Sequence, residues 1–336
     1  MKFHSDKKNA IVSYILEKIA AGANGLSHSV AEEFGISTNT VHSYLNELQE
    51  NRVVRKIRRG CYELVTETFT YSLRRSDGHL DSDTYALEHC LASHIASLAP
   101  NIRRIWEYAF TEMTNNIIDH SGAENVSVLV KTNHLYTQAG LADNGVGIFE
   151  KIRNHFGLSS LDDAVCELFK GKLTTDSAHH SGEGIFFSSR MMDRFTIVSD
   201  GKIFATNKYS HDLVADFAPW TDGTCVVMSL SNFTQRTVQE VFNEYASVDG
   251  GFSQTRIPLK NIFDTAPVSR SQAKRIAHRL ENFQTVELDF EGLDWMGQGF
   301  AHQLFVIFQN EHPNTLLTPI NMGESVRSMY QHVMRS

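Results

Sequence analysis

The sequence has few of the features that mark secreted, disulfide-bonded or membrane-spanning proteins. It contains only 4 cysteines and 6 prolines in 336 residues. The cysteines are far apart and none forms a CxxC pair, so we expect free thiols rather than disulfides or a metal site. No apolar run approaches the roughly 18 residues of a membrane span, and the first residues lack the apolar core of a signal peptide. We therefore expect a cytoplasmic protein without a membrane segment.

The rest of the composition is typical of a globular protein. Hydrophobic residues make up 41% of the chain and charged residues 21%. The formal net charge of −8 argues against a generic polyanion binder, so contact with nucleic acid would require a local basic patch. The length fits two or three domains, and alternating strand and helix patterns predict an α/β multi-domain protein.

The first 66 residues predict three helices followed by a hairpin. Gly35 separates the second helix from the third, and Ser37 can cap the third helix. Two short alternating runs around Arg59-Gly60 predict the hairpin. This pattern resembles a winged helix-turn-helix domain, which we delimit as residues 1–66.

Two interpretations of this N-terminal unit are open. In the first, its third helix reads DNA and its basic hairpin contacts the phosphate backbone, commonly as a homodimer on two half-sites. In the second, the unit contacts protein and its basic residues are merely solvated. The basic hairpin favours DNA. The residues that would contact DNA are Thr38, Asn39, Thr40, His42, Arg55, Lys56, Arg58 and Arg59.

The stretch 112–120 carries the chemistry of the central segment. In an α-helix, Glu112, Asn116 and His120 lie one turn apart on the same face. A carboxylate and a carboxamide in this arrangement can polarise a water molecule and hold a hard cation beside a triphosphate. Taken alone, the same residues also fit the polar face of an ordinary surface helix.

Two glycine-containing motifs follow this stretch. An apolar run predicts a strand that ends at Asp143, whose carboxylate can accept a hydrogen bond from an exocyclic amine such as that of adenine. Gly145 and Gly147 then predict a tight turn and close backbone approach to a ligand. Gly182 and Gly184 precede a later helix, where free N–H groups and the helix dipole favour a phosphate.

The order and spacing of these motifs resemble the GHKL ATP-binding fold, in particular its anti-sigma-factor serine kinase branch. We delimit this domain as residues 67–248, with a core at 80–232. The resemblance implies an α/β sandwich, in which helices cover one face of a mixed sheet, and a site for ATP and Mg²⁺. It implies that Glu112 is the general base and that Asn116 binds Mg²⁺. The ATP-binding residues it implies are Asn116, His120, Asp143, Gly145, Gly147, Gly182, Gly184 and Thr224.

The segment 148–181 would cover the nucleotide as a lid. It combines an amphipathic helix, predicted at 161–169, with a polar run that includes His179 and His180. We interpret these two histidines as lid residues rather than metal ligands. Lys172 can reach a phosphate or extend into solvent, and solvation is the favoured interpretation.

The last segment, residues 249–336, resembles a STAS-like domain and, more distantly, the anti-anti-sigma factors. In those factors a serine after a strand is phosphorylated by the partner kinase. The corresponding turn, 293–300, contains neither serine nor threonine, which argues against a phosphorylation switch at this point. Trp295 and Met296 in the turn suit either a protein contact or a buried plug.

These patterns predict a DNA-binding regulator in which Mg-ATP binding, with or without hydrolysis, changes lid and inter-domain contacts. One alternative is an anti-sigma-type serine/threonine protein kinase that acts on a STAS protein. Another is an ATPase switch in a protein complex, in which the winged helix contacts protein. The expected partners are ATP, DNA, a STAS or sigma-type protein and a second copy of the chain.

Overall fold

The computed structural model describes residues 2–172, 182–206, 222–246, 251–263 and 265–335. The predicted lid residues His179 and His180 and the boundary predicted at 249–250 lie outside these ranges. Within these ranges, the strands form three separate sheets, and helices pack around them. This confirms the predicted α/β class.

The N-terminal unit contains the predicted three helices and hairpin. A left-handed Gly35 (φ 60°) ends the second helix, and Ser37 Oγ accepts a hydrogen bond from Thr40 N at 3.1 Å to cap the third. Aliphatic side chains from all three helices form a separate core. The helices are Lys2–Ala20, Leu26–Phe34 and Thr38–Glu50, and the strands are β1 (Val54–Arg58) and β2 (Cys61–Leu64).

The central unit is built on a six-stranded sheet. The strands are β3 (Glu67–Arg74), β4 (Asn125–Thr132), β5 (Tyr136–Asp143), β6 (Arg194–Ser199), β7 (Lys202–Ala205) and β8 (Thr224–Ser231). Their order is β3-β4-β5-β8-β6-β7, and every neighbouring pair is antiparallel. The prediction of a mixed sheet is therefore wrong. Strands β5 and β6 run in the same direction, but β8 lies between them and is antiparallel to both.

Helices pack on one face of this sheet. The largest, Pro100–Asn116, is called here the central helix. It buries Ile102, Ile105, Trp106 and Ala109 at helical spacing against alternate residues of β4 and β5. In the described part of the unit, the other α-helices are Asp83–Ala86, Ala92–Ile95, Ile148–Phe156, Leu161–Lys170, Gly184–Met191 and Val238–Tyr245. Two π-helical turns, Leu87–Leu91 and Ile117–Ser121, continue helices of this layer.

The C-terminal unit contains a three-stranded parallel sheet in the order β11-β10-β9. Its strands are β9 (Gln254–Pro258), β10 (Thr285–Asp289) and β11 (Leu316–Ile320). Its helical segments are Leu259–Ile262, Arg270–Ala277, Leu280–Asn282, Gln298–His302, Gln303–Phe308, Gln309–Glu311 and Glu324–Met334. Trp295 is 48% exposed, whereas Met296 is buried, so only Trp295 of this pair is available for a protein contact.

A buried ionic network joins the C-terminal unit to helix Leu161–Lys170. Glu167 and Lys170 are 2% and 1% exposed, and Lys170 Nζ donates a hydrogen bond to Glu167 Oε1 at 2.6 Å. The same ammonium donates to the main-chain oxygens of Arg275 at 2.9 Å and His278 at 2.7 Å. Lys170 thus uses all three N–H donors, and it lies at the negative end of the dipole of helix Arg270–Ala277.

Side chains of the C-terminal unit complete the network. His278 Nδ1 lies 2.9 Å from Glu167 Oε1, and Arg279 Nη1 donates to Glu167 Oε2 at 3.2 Å. Lys172 Nζ donates to Asn282 O at 3.0 Å and lies 4.9 Å from the ring centroid of Phe283. Lys172 is therefore bound to the C-terminal unit, and the interpretation that it extends into solvent is wrong.

The N-terminal unit contacts the central sheet at the start of β5, which is the end opposite Asp143. Leu135, next to the start of β5, is buried in the N-terminal core, and Asn133 Nδ2 donates to Thr66 Oγ1 at 3.3 Å. Asp143 is the last residue of the same strand. At 3.4 Å per residue the two ends of β5 are roughly 24 Å apart.

Replacing Lys170 with Met is expected to lower the free energy of unfolding by about 3–5 kcal/mol, because Glu167 would stay buried without the ammonium. Urea denaturation of the full-length chain measures this loss. Lys8→Met is the matched control: it removes an exposed ion pair with Glu47 and should cost less than about 1 kcal/mol. Equal losses in the two variants would contradict a stabilising role for the buried pair.

Candidate functional site

One cavity brings together most of the site residues predicted from the sequence. It has a volume of about 270 Å³ and lies between the end of the central helix and helices Ile148–Phe156 and Gly184–Met191. The predicted residues that line it are Glu112, Asn116, His120, Asp143, Gly182, Gly184 and Thr224. Gly145 and Gly147 are not part of its wall.

The central helix changes pitch where it reaches the cavity. It is α-helical up to Asn116, continues as the π-helical turn Ile117–Ser121 and ends at Gly122, which has φ 64°. His120 lies in this wider turn and still lines the cavity. Asn116 Nδ2 is buried without a hydrogen-bond partner in the described part of the chain. A π-turn and an unmet amide donor are both frequent at ligand-binding positions.

Glu112 lies against the first residue of helix Gly184–Met191. A Cβ atom built on Gly184 would come within 2.0 Å of Glu112 Oε2. Only glycine therefore allows the helix N-terminus and this carboxylate to approach so closely. The positive end of the helix dipole favours a negative charge at this point.

Asp143 is a buried carboxyl group in the wall of the cavity. Residue alternation along β5 places it on the same face as Ala139 and Leu141, which pack under the helices. Asp143 is 2% exposed, and its Oδ1 accepts a hydrogen bond from Gly145 N at 2.8 Å. Burial raises the pKa of Asp143 to about 6, although backbone hydrogen bonds from Gly145 and Thr224 oppose the shift. A ligand donor that reached this carboxylate would offset part of the desolvation cost.

Gly145 and Gly147 allow the protein to pack closely against itself. A Cβ atom on Gly145 would lie 2.2 Å from Ser121 O, and one on Gly147 would lie 1.9 Å from Asp200 Oδ1. Both residues therefore stand behind the cavity wall. The structure shows that these two glycines approach the π-helical turn and the β6–β7 turn; their approach to a ligand stays a prediction.

Asp200 is a structural residue of the site that sequence analysis missed. Its Oδ2 accepts hydrogen bonds from Phe149 N and Glu150 N, each at 3.1 Å, and so caps helix Ile148–Phe156. The partners are 51 and 50 residues away in sequence. Capping signals in sequences are sought within three residues of a helix start, so no local pattern identifies Asp200.

Thr224 supports the same helix. Its Oγ1 accepts a hydrogen bond from Ile148 N at 3.1 Å, and Ser199 Oγ lies 3.1 Å from the same nitrogen. Thr224 also lines the cavity. It therefore connects strand β8 to the helix that follows Gly147, next to Asp143.

A magnesium ion beside phosphates fits the residues of this wall. In the ranges the structure describes, no cluster of three or more His, Cys, Asp or Glu side chains can hold a metal ion by itself. Mg²⁺ next to a polyphosphate needs only one or two protein ligands, since phosphate oxygens and water complete its octahedron. The oxygen of the Asn116 carboxamide is suited to that role.

The basic hairpin of the N-terminal unit is exposed, but part of its charge is paired. Arg55 forms an ion pair with Glu63 on the adjacent strand, and Arg58 Nε lies 3.3 Å from Cys61 Sγ. Lys56 and Arg59 are also exposed. The hairpin therefore presents less net positive charge than its four basic residues suggest.

The residues predicted to contact DNA on the third helix differ in exposure. Asn39 and His42 are exposed, whereas Thr38 and Thr40 are half-buried. Thr40 is also used locally, because its Oγ1 lies 2.9 Å from the capping Ser37 Oγ. Asn39 and His42 are thus the best placed of the four.

Replacing Asp143 with Asn is expected to raise the free energy of unfolding of the nucleotide-free protein at pH 7.5 by about 1–3 kcal/mol. The neutral amide avoids the cost of burying a carboxylate. In the wild type, stability should fall as pH rises from about 4 to about 6, because the folded state holds the Asp143 proton more tightly than the unfolded chain does.

Thermal unfolding of the two proteins between pH 4 and pH 8 tests this expectation. The difference in stability between Asp143→Asn and the wild type should be largest above pH 6 and should shrink towards pH 4. Asp200→Asn serves as a comparison, since it removes a negative charge from a helix N-terminus and should destabilise at pH 7.5. An Asp143→Asn protein less stable than the wild type at pH 7.5 would contradict the expected cost of the buried charge.

Among the residues the structure describes, no helix is long and apolar enough to cross a membrane. A comparison with curated proteins gave no match. A family model for a STAS-like domain of unknown function (DUF4325) matches residues 272–327. This match lies within the unit that contains the three-stranded parallel sheet, and it confirms the predicted resemblance of the C-terminal segment to a STAS-like domain. The C-terminal unit contains a STAS-like domain.

Proposed function

We propose that this chain is a nucleotide-dependent regulator in which the central unit binds Mg-ATP. The observation that carries the proposal is that Asp143, at the end of β5, lines the same cavity as Glu112 and Asn116 of the central helix. Asp143 supplies a buried acceptor for the exocyclic amine of adenine. Asn116 supplies an oxygen for Mg²⁺, which when bound would neutralise negative charge on the phosphates.

The N-terminus of helix Gly184–Met191 suits the phosphate end of the nucleotide. Gly182 and Gly184 line the cavity there, and free N–H groups of the first helical turn favour an anion. Glu112 lies at the same helix start. From this position its carboxylate can orient a water molecule or a hydroxyl group and accept its proton.

The STAS-like domain is placed to respond to the nucleotide site. Helix Leu161–Lys170 contributes Leu168 to the cavity wall, while Glu167 and Lys170 tie the same helix to the STAS-like domain. If nucleotide binding shifted this helix, the buried ionic network would either break or move together with the helix. We therefore expect this helix to communicate nucleotide occupancy to the STAS-like domain.

The N-terminal unit is proposed to bind DNA through its third helix and hairpin. Lys56, Arg58 and Arg59 would contact phosphates, and Asn39 and His42 would contact base edges. Because this unit meets the far end of β5, its coupling to the nucleotide requires the sheet or an assembled dimer. The alternative of a protein contact is supported by Ile57, which is 56% exposed on the same hairpin.

A serine/threonine protein kinase is the second candidate function. Glu112 can act on a protein hydroxyl as readily as on water, so the site geometry suits both. The turn 293–300 of the chain's own STAS-like domain lacks serine and threonine. The acceptor would therefore be a separate STAS protein, to which the exposed Trp295 offers a contact.

Full-length protein incubated with Mg-ATP labelled at the γ-phosphate tests the central proposal. Free phosphate alone indicates an ATPase switch, and label on protein indicates a kinase. Nucleotide binding without either product indicates that ATP is only sensed. Glu112→Ala should reduce any transfer by about 10²-fold or more while nucleotide still binds.

Glu107→Ala is the matched control, because Glu107 is an exposed carboxylate on the same helix and should leave transfer unchanged. Binding of Mg-ATP by the wild type and its loss in Asp143→Ala complete the test. If the wild type bound no adenine nucleotide, the proposal would be wrong.

Replacing both Arg58 and Arg59 with Ala in the full-length chain is expected to weaken DNA binding and to lower the slope of log affinity against log salt by about 2. The loss of two backbone contacts is the physical reason. Lys7→Ala/Lys18→Ala removes two charges from the first helix and serves as the control. Fluorescence anisotropy with labelled duplex DNA at several salt concentrations measures both variants. Equal effects of the two double substitutions would favour the protein-contact alternative.

A further inference from the structure

The cavity wall contains a positive charge that none of the sequence motifs identified. Among the described residues that line the cavity, Lys151 is the only lysine or arginine. A nucleoside di- or triphosphate brings several negative charges into a site that already holds the carboxylates Glu112 and Asp143. Basic side chains commonly neutralise part of this charge alongside Mg²⁺.

Lys151 is held firmly in relation to the rest of the site. It lies in the first turn of helix Ile148–Phe156, whose first N–H groups are bound by Thr224 and Asp200. Its Nζ donates a hydrogen bond to His120 O, in the π-helical turn, at 2.7 Å. The ammonium therefore lies at the end of the central helix, beyond Asn116.

The surroundings of Lys151 do not fully offset its charge. Partial burial lowers the pKa of Lys151, and the nearby carboxylate of Asp119 only partly opposes this shift. The carbonyl oxygen of His120 occupies one of three N–H donors. A phosphate group would supply the missing negative charge and an acceptor for a second donor.

Other basic residues near the cavity are engaged elsewhere. Lys172 binds Asn282 O and the ring of Phe283 in the STAS-like domain. Lys170 is enclosed in the buried network, and Arg153 forms an ion pair with Glu150 at 2.7 Å. Within the described ranges, Lys151 is thus the basic side chain best placed for a ligand in the cavity.

We propose that Lys151 binds the phosphate chain of the nucleotide and makes the site selective for ATP and ADP over adenosine. This inference rests on the proposed binding of adenine nucleotides. Adenosine would keep the contacts to Asp143 and lose the contact to Lys151. The discrimination between nucleotide and nucleoside would therefore depend on this side chain.

Isothermal titration calorimetry of the full-length chain with ATP, ADP and adenosine tests the inference. Lys151→Met keeps the length of the side chain and removes its charge. It should weaken binding of ATP and ADP by about 10- to 100-fold and change adenosine binding by less than about twofold. Lys151→Arg should retain most of the affinity for ATP. Lys172→Met, the matched control, should leave the ratio of ATP to adenosine affinity unchanged.

Two results would overturn the inference while leaving the proposed function intact. One is an unchanged affinity of Lys151→Met for ATP. The other is an equal loss of ATP and adenosine binding, which would make Lys151 a purely structural residue of the wall. A wild-type protein that bound neither ATP nor adenosine would refute both the proposed function and the role of Lys151.

Discussion

The buried ammonium of Lys170 ties the wall of the central cavity to the STAS-like domain. Removing Lys170 and Glu167 from water is costly, and the cost is offset because every N–H donor of the ammonium has a partner: Glu167 on its own helix and the main-chain oxygens of Arg275 and His278 across the interface. The geometry tolerates little displacement, since a partly broken network would leave a charge buried without its partner. Helix Leu161–Lys170 and the STAS-like domain should therefore move together or separate completely, which is the behaviour expected of a switch.

Close approaches that only glycine permits also shape the cavity. Glu112 reaches the start of helix Gly184–Met191 because residue 184 is glycine. The end of β5 lies equally close to Gly223, where a Cβ atom would lie 2.1 Å from Asp143 O. At Gly145 the turn after Asp143 rests on the end of the central helix. These close approaches position the chain segments that carry Glu112 and Asp143 in the wall of the cavity.

The two flanking units have unequal relationships to the cavity. The STAS-like domain touches the helix that forms its wall, whereas the N-terminal unit contacts Leu135 and Asn133 at the far end of β5. A local change at the proposed nucleotide site would reach the STAS-like domain through side chains in direct contact. To reach the N-terminal unit it would have to pass along a six-stranded antiparallel sheet or through a second copy of the chain. If the cavity binds nucleotide as proposed, this direct connection makes the STAS-like domain the first receiver of the signal.

The presence of Asp143 in the same site as Glu112 was implied by the resemblance to the GHKL fold. By itself the sequence predicted most of the helices and strands and aligned Glu112 with Asn116 on one face of a helix. These features depend on spacing of four residues along a helix or two along a strand, which any reader of the sequence can see. Tertiary structure alone decided the antiparallel order of the central sheet, the capping by Asp200 and the attachment of Lys172 to the STAS-like domain. The last two of these depend on groups that are about 50 to 110 residues apart in sequence, and the pairing of β5 with β8 likewise joins segments that are far apart in sequence. Such pairings follow from the packing of whole elements, and no local pattern of residues encodes them.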